Sequence, residues 1–139
     1  MNIEALRKMC ELNVIRPLVE RSRSGKGAHV WIFFKKAIPA ATARNFGFLL
    51  LDKGSTSINL KSFHYYDRMY PSQDVASSIG NLIALPLQGQ ALKNGNSAFV
   101  DENWNRKYQK KTSINFFYIL INYMISSPTW KRKNFLTAL

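Results

Sequence analysis

Glu20-Arg21-Ser22-Arg23-Ser24-Gly25-Lys26-Gly27-Ala28-His29-Val30-Trp31-Ile32-Phe33-Phe34 begins polar and cationic and ends as an apolar run. Gly25 and Gly27 let the backbone turn tightly and bring N–H groups towards an anion. Arg21, Arg23 and Lys26 place positive charge at that turn, and Ser22 and Ser24 add hydroxyl donors. Ala28–Phe34, rich in β-branched and aromatic residues, reads as a buried strand with His29 just inside it. A histidine on a rigid strand beside a glycine-rich cationic turn suits a polyphosphate. The same residues also suit an ordinary hairpin turn with solvated charges. A Walker A loop is excluded, because its glycines must lead into a helix and these lead into a strand.

Around this stretch the chain reads as alternating helices and short strands, an α+β pattern. Ile3, Leu6, Met9, Cys10 and Val14 fall at helical spacing, with Glu4, Arg7, Lys8 and Glu11 opposite them, which predicts a helix over Asn2–Leu12. Ile15–Glu20 then forms a short strand, and the turn joins it to Ala28–Phe34 as a hairpin. Pro39 introduces a second helix from Ala40 to about Asp52, with Phe46, Leu49 and Leu50 buried and Gly54-Ser55-Thr56-Ser57 ending it. His64, Tyr65, Tyr66 and Tyr70 form an aromatic cluster that suits a core better than base stacking. Leu82–Leu87 reads as a buried strand closed by Pro86, Gln88–Asn96 as a polar turn-rich segment, and Ser97–Asp101 as one more strand.

The 139 residues allow one domain with a real core. Three Trp, six Tyr and nine Phe argue for a folded globule. The single cysteine, Cys10, excludes an internal disulfide and a cysteine-based zinc cluster, and reads as a small core residue. The first residues carry no signal-like apolar stretch, which predicts a cytoplasmic location. The net charge of +12 predicts salt-sensitive attraction to nucleic acid. Residues 103–139 hold seven of the basic residues, including Lys110 and Lys111, and no acid. The apolar run Ile114–Ile125 within them is shorter than the ~20 residues a membrane span needs, and reads as a packing helix.

Glu20–Phe34 resembles the second conserved motif of the archaeo-eukaryotic primase superfamily, and within it the primase domain of bacterial TOTE conflict systems. Two further stretches match in order. Tyr66-Asp67-Arg68-Met69-Tyr70-Pro71-Ser72-Gln73-Asp74 resembles the family's Asp-Arg-x-Phe-Pro-x-Gln-Asp segment. Gly80-Asn81-Leu82-Ile83-Ala84-Leu85-Pro86-Leu87 resembles its Gly-Asn-Leu-Ile-x-Leu-Pro strand, and Gly95–Asp101 continues the match. The likeness runs to about Trp104, which divides the chain into a partial primase-polymerase domain over 1–104 and a divergent basic and apolar tail over 105–139. It implies an α+β core related to the RNA-recognition architecture, a mixed or antiparallel sheet with helices packed on it.

The resemblance also implies a chemistry. Primer synthesis uses Mg²⁺ or Mn²⁺ held by carboxylates, an NTP or dNTP, and a nucleic-acid template. By likeness His29 contacts the nucleotide's phosphates, with Arg23, Ser24, Gly25, Lys26 and Gly27 supporting it. Asp74 is the expected metal-binding carboxylate, with Asp67 as the alternative; Arg21 and Arg68, and in the basic tail beyond the likeness Lys110 and Lys111, are the expected nucleic-acid contacts. The family's Asp-x-Asp/Glu pair has no counterpart, since no two acidic residues stand at that spacing. The family places that pair ahead of the Asn2–Leu12 helix. The expectation is therefore a primase fragment, truncated before that helix and incomplete in catalysis alone, working beside a helicase and a nuclease. A frameshift or recombination would account for the tail. The competing expectations are a non-catalytic nucleic-acid-binding module and a decayed reading frame.

Overall fold

The computed structural model describes residues 3–57, 66–75, 82–107 and 137–138. The first helix, α1, spans Ile3–Leu12 and buries Leu6, Met9 and Cys10, three of the positions its spacing predicts. Burial pushes the Cys10 thiol up to about 11, with Glu11 adding to the shift, so it packs as a neutral small side chain. Two details of this helix differ from the expectation. Arg7, expected on the polar face, is 7% exposed and donates from Nη2 to the carbonyl of Val100 at 3.3 Å. Its aliphatic stem lies in the core while its head finds a strand carbonyl.

Val14, expected on the buried stripe, is 94% exposed at φ 58°. It occupies the left-handed position that closes the helix. Val14 N donates to the Glu11 carbonyl at 2.9 Å and Ile15 N to the Cys10 carbonyl at 2.8 Å. This is a Schellman closure, which turns the residue after the cap outward and returns the next apolar residue, here Ile15, to the core.

Strands β1 (Leu18–Arg21) and β2 (Ala28–Ile32) pair antiparallel, Leu18 opposite Trp31 and Glu20 opposite His29. Both are shorter than their expected runs. Helix α2 spans Ala40–Ser57 and so continues through Gly54 instead of ending there. Gly54 is buried, and a Cβ added to it would stand 3.5 Å from Met9 Cγ; packing against α1 outweighs the weak helix propensity. Its inner face carries Ala43, Phe46, Leu50 and Leu51, whereas Leu49, expected inside, is 58% exposed. The helix period places Leu51, not Leu49, beside Gly47 and Gly54.

Leu82–Leu87 is not a strand. Leu82 and Leu85 face outward, while Ile83 and Leu87 pack on the pair Trp31 and Phe99. Pro86 has no N–H to give a ladder, and Leu87 turns to φ 65°. The next segment contains a short helix, α3 (Gly89–Lys93), and β3 (Ala98–Val100) follows. A two-residue strand, β4 (Thr137–Ala138), completes an antiparallel sheet of order β3-β1-β2-β4. The fold is α+β, with α1 and α2 packed together and the main core of Leu6, Cys10, Val19, Val30, Ile32, Leu50 and Leu51 between helices and sheet. Among the described residues no helix is long and apolar enough to cross a membrane. His64, Tyr65, Gly80, Asn81, Lys110, Lys111 and Ile114–Ile125 lie outside the described residues.

Candidate nucleotide-binding cleft

An open cleft of about 530 Å³ lies between the β1–β2 turn and the segment 66–70, with Leu82, Ile83 and Ala84 at its margin. That volume falls in the range of small-molecule sites. Ser22, Ser24, Lys26, Gly27, Ala28, His29 and Trp31 line one wall, and Tyr66, Asp67, Arg68 and Tyr70 line the other.

The turn is closed on itself. Ser22 N donates to the Gly27 carbonyl at 2.9 Å, and Gly25 N to the Ser22 carbonyl at 3.0 Å. Lys26 N reaches Ser24 Oγ at 3.3 Å, and Gly27 N reaches Ser22 Oγ at 3.1 Å. The backbone N–H groups of residues 25–27, expected to face an anion, are thus engaged within the turn. Gly25 sits at φ 75° with Asn96 Oδ1 2.8 Å from where a Cβ would stand, so the turn rests against the Gly95–Ser97 loop. Ser22 Oγ and Ser24 Oγ bond each other at 3.1 Å, so what remains for an anion is the Lys26 ammonium, one serine hydroxyl hydrogen and His29.

His29 is the expected residue with the most defined setting. Its side chain is 40% exposed, and its Nδ1 lies 3.2 Å from Glu20 Oε2. Its ring meets Trp31 edge-on at 6.5 Å, and Trp31 in turn stacks on Phe33 at 6.5 Å. Glu20, 1% exposed, also accepts from Trp31 Nε1 at 2.8 Å and from Ser97 Oγ at 3.2 Å. Sequence reasoning took no account of Glu20, which stands among several charged residues. Strand register held the signal. A turn over 22–27 makes 20 and 29 cross-strand partners, and such partners share a face.

The other expected residues are spread more widely. Arg23 is exposed and, like Gly25, does not line the cleft. Arg21 spans the loops instead, donating to the carbonyls of Gly95 at 3.2 Å and Trp104 at 2.8 Å. Asp67 and Arg68 line the cleft as a pair, Arg68 Nε lying 2.9 Å from Asp67 Oδ2. Hydrogen bonding to Tyr70, and then to Asp67, holds the Arg68 guanidinium firmly protonated. Burial, with Asp67 next to it, pushes the Tyr66 phenol up, so it stays a neutral donor. Asp74 lies outside the cleft lining and hydrogen-bonds Arg44, which also donates to the Pro71 carbonyl at 3.2 Å.

These carboxylates do not fit a two-metal centre. Such a site needs several oxygen ligands converging on each ion, and among the described residues no three His, Cys, Asp or Glu are gathered to hold one. Asp67 and Asp74 each face an arginine, and Glu20 is enclosed by its three hydrogen-bond partners.

No curated protein and no solved structure matches this chain. The family model of the TOTE conflict system archaeo-eukaryotic primase domain matches residues 1–115, most of the chain and all of the cleft. The chain belongs to the archaeo-eukaryotic primase domain family of TOTE conflict systems.

Proposed function

We propose that the cleft binds the triphosphate of a nucleotide, as the nucleotide-holding part of a primase-type nucleotidyltransferase acting on a nucleic-acid template. The observation that carries this reading is His29, a partly exposed imidazole with one nitrogen tied to a buried carboxylate, beside Lys26 and Ser24. Lys26 supplies a compact cationic charge, and the Ser22–Ser24 hydroxyl pair, bonded to each other at 3.1 Å, has one hydrogen left to give a phosphate oxygen. Arg68, on the facing wall, bears charge towards the same space, while Tyr66 and Tyr70 offer aromatic surface to a base or sugar. Of these groups, His29 and Lys26 are the ones we assign to the phosphates. Divalent metal, where it takes part in primer synthesis, needs more carboxylates than this cleft gathers, so the binding half of the reaction is what these residues support.

Calorimetric titration of the chain with dGTP tests this reading. Binding weakened roughly thirtyfold by His29→Ala, with the melting curve unchanged, is the expected result. Absence of binding, or binding indifferent to His29, refutes it. A second reading, charge-driven association with nucleic acid away from the cleft, is favoured by the seven basic, acid-free residues of 103–139. It predicts DNA binding that weakens steeply with salt and survives His29→Ala.

A further inference from the structure

Glu20 is a carboxylate with nearly all its surface removed from water. Its three contacts can be assigned donor by donor. The indole Nε1–H of Trp31 can only donate, and it reaches Oε2 at 2.8 Å. Ser97 Oγ receives the N–H of Gln88 at 3.2 Å, which leaves its own hydrogen to point at Glu20 Oε1, also at 3.2 Å. Ser97 is buried and held at φ 51°, an uncommon conformation for a residue other than glycine, so its hydroxyl is fixed by the fold. An ionised carboxylate has no hydrogen to give, so its third partner must donate as well. That partner is His29 Nδ1, 3.2 Å away.

We infer that Glu20 is a positioning residue for His29: it holds Nδ1–H inward, offers Nε2 to the cleft, and makes the doubly protonated ring the form that receives a phosphate. With Nδ1 carrying the inward hydrogen, a neutral ring shows the cleft a lone pair at Nε2, which repels an oxyanion. Protonation at Nε2 converts that lone pair into a charged donor, and the resulting positive ring is balanced by the buried carboxylate behind it. At a pH where the free ring is neutral, phosphate binding at it therefore takes up one proton. The charged and titratable groups facing the ring are Glu20 from β1, Lys26 from the turn, and Tyr66, Asp67, Arg68 and Tyr70 from the opposite wall. Asp67 and Arg68 offset one another, which leaves Glu20 and the incoming phosphate as the anions that favour the proton and Lys26 as the cation that opposes it.

The functional half of this inference rests on the phosphate-binding reading of His29, whereas the orientation of the ring does not. The test accordingly has two parts, both on the full chain. First, imidazole ¹⁵N NMR of the ligand-free protein is recorded at a pH high enough that the ring is neutral, with His64→Gln used to assign the two histidines. The Nδ1–H tautomer is expected, and a predominant Nε2–H tautomer overturns the inference. Second, dGTP binding is measured by calorimetry at that pH in buffers of different ionisation enthalpy. Proton uptake by the native chain and none by His29→Ala is expected; binding without uptake in the native chain overturns it.

Glu20→Gln keeps an acceptor for Trp31 and a polar partner for Ser97 but removes the charge. It should weaken dGTP binding about tenfold while His29 stays in place. Unchanged affinity in a folded Glu20→Gln chain counts against the inference. If dGTP does not bind at all, the functional reading falls, and the tautomer still decides the pairing of Glu20 with His29.

Discussion

On the β1–β2 wall of the cleft, Glu20 is sealed from water and meets three partners, whereas Asp67 on the opposite wall and Asp74 outside the cleft are mostly exposed and each meets an arginine. The acids are chemically alike, but their surroundings give them different weight. A buried carboxylate with all its partners is costly to disturb, because each stranded donor loses its water as well. An exposed ion pair contributes little, since water and salt screen it. The contrast puts the enclosed, fully bonded acid on the hairpin and the exposed ion pairs on the segment 66–75.

The largest break in that comparison should come from Trp31→Ala. It removes a fully buried indole and leaves Glu20 short of a donor, which should cost about 4 kcal/mol in a urea unfolding experiment. Glu20→Leu should follow at about 3 kcal/mol by the same measurement, since it strands Trp31 Nε1–H and the Ser97 hydroxyl in the core. His29→Ala separates binding from stability: a partly exposed ring should lower dGTP affinity roughly thirtyfold in calorimetry and leave the urea midpoint nearly unmoved.

Gly25→Ala should cost about 1–2 kcal/mol, visible as a lower melting temperature. The new methyl group meets Asn96 at a backbone angle that favours glycine. At the small end, Asp67→Asn and Asp74→Asn should each change stability by less than about 0.5 kcal/mol. Neither should weaken dGTP binding, and added Mn²⁺ should not tighten it. A loss of affinity on either substitution, appearing only with Mn²⁺, would show that aspartate to be a metal ligand and erase the contrast.

The parts of this arrangement legible in the sequence are those with a local cause. Helix α1 showed in the spacing of Ile3, Leu6, Met9 and Cys10, and the hairpin in a glycine-bearing cationic turn before an apolar strand. The extension of α2 through Gly54 was not legible, because it depends on Met9 of another helix. Leu82–Leu87 misled for the opposite reason. Its composition suits a strand, but Pro86 and the turn at Leu87 remove it from the ladder, and its apolar residues are used singly, as caps over Trp31 and Phe99. His29 could be picked out by residue type and setting. Its partner was legible only through hairpin register, which sets Glu20 opposite it; the third contact, from Ser97 77 positions away, was not.

That separation ties Glu20 to the order in which the chain assembles. The hairpin can form from neighbouring residues as soon as they are available, but a hairpin alone leaves the Glu20 carboxylate hydrated and its histidine loosely held. Docking of β3 strips the water and supplies the serine hydroxyl in the same event. A sheet that closed without Ser97 in register would bury an acid with an acceptor unmet, which is a strongly disfavoured state. One carboxylate thereby penalises partial closure of the sheet, and a histidine held in place becomes the mark of a finished fold.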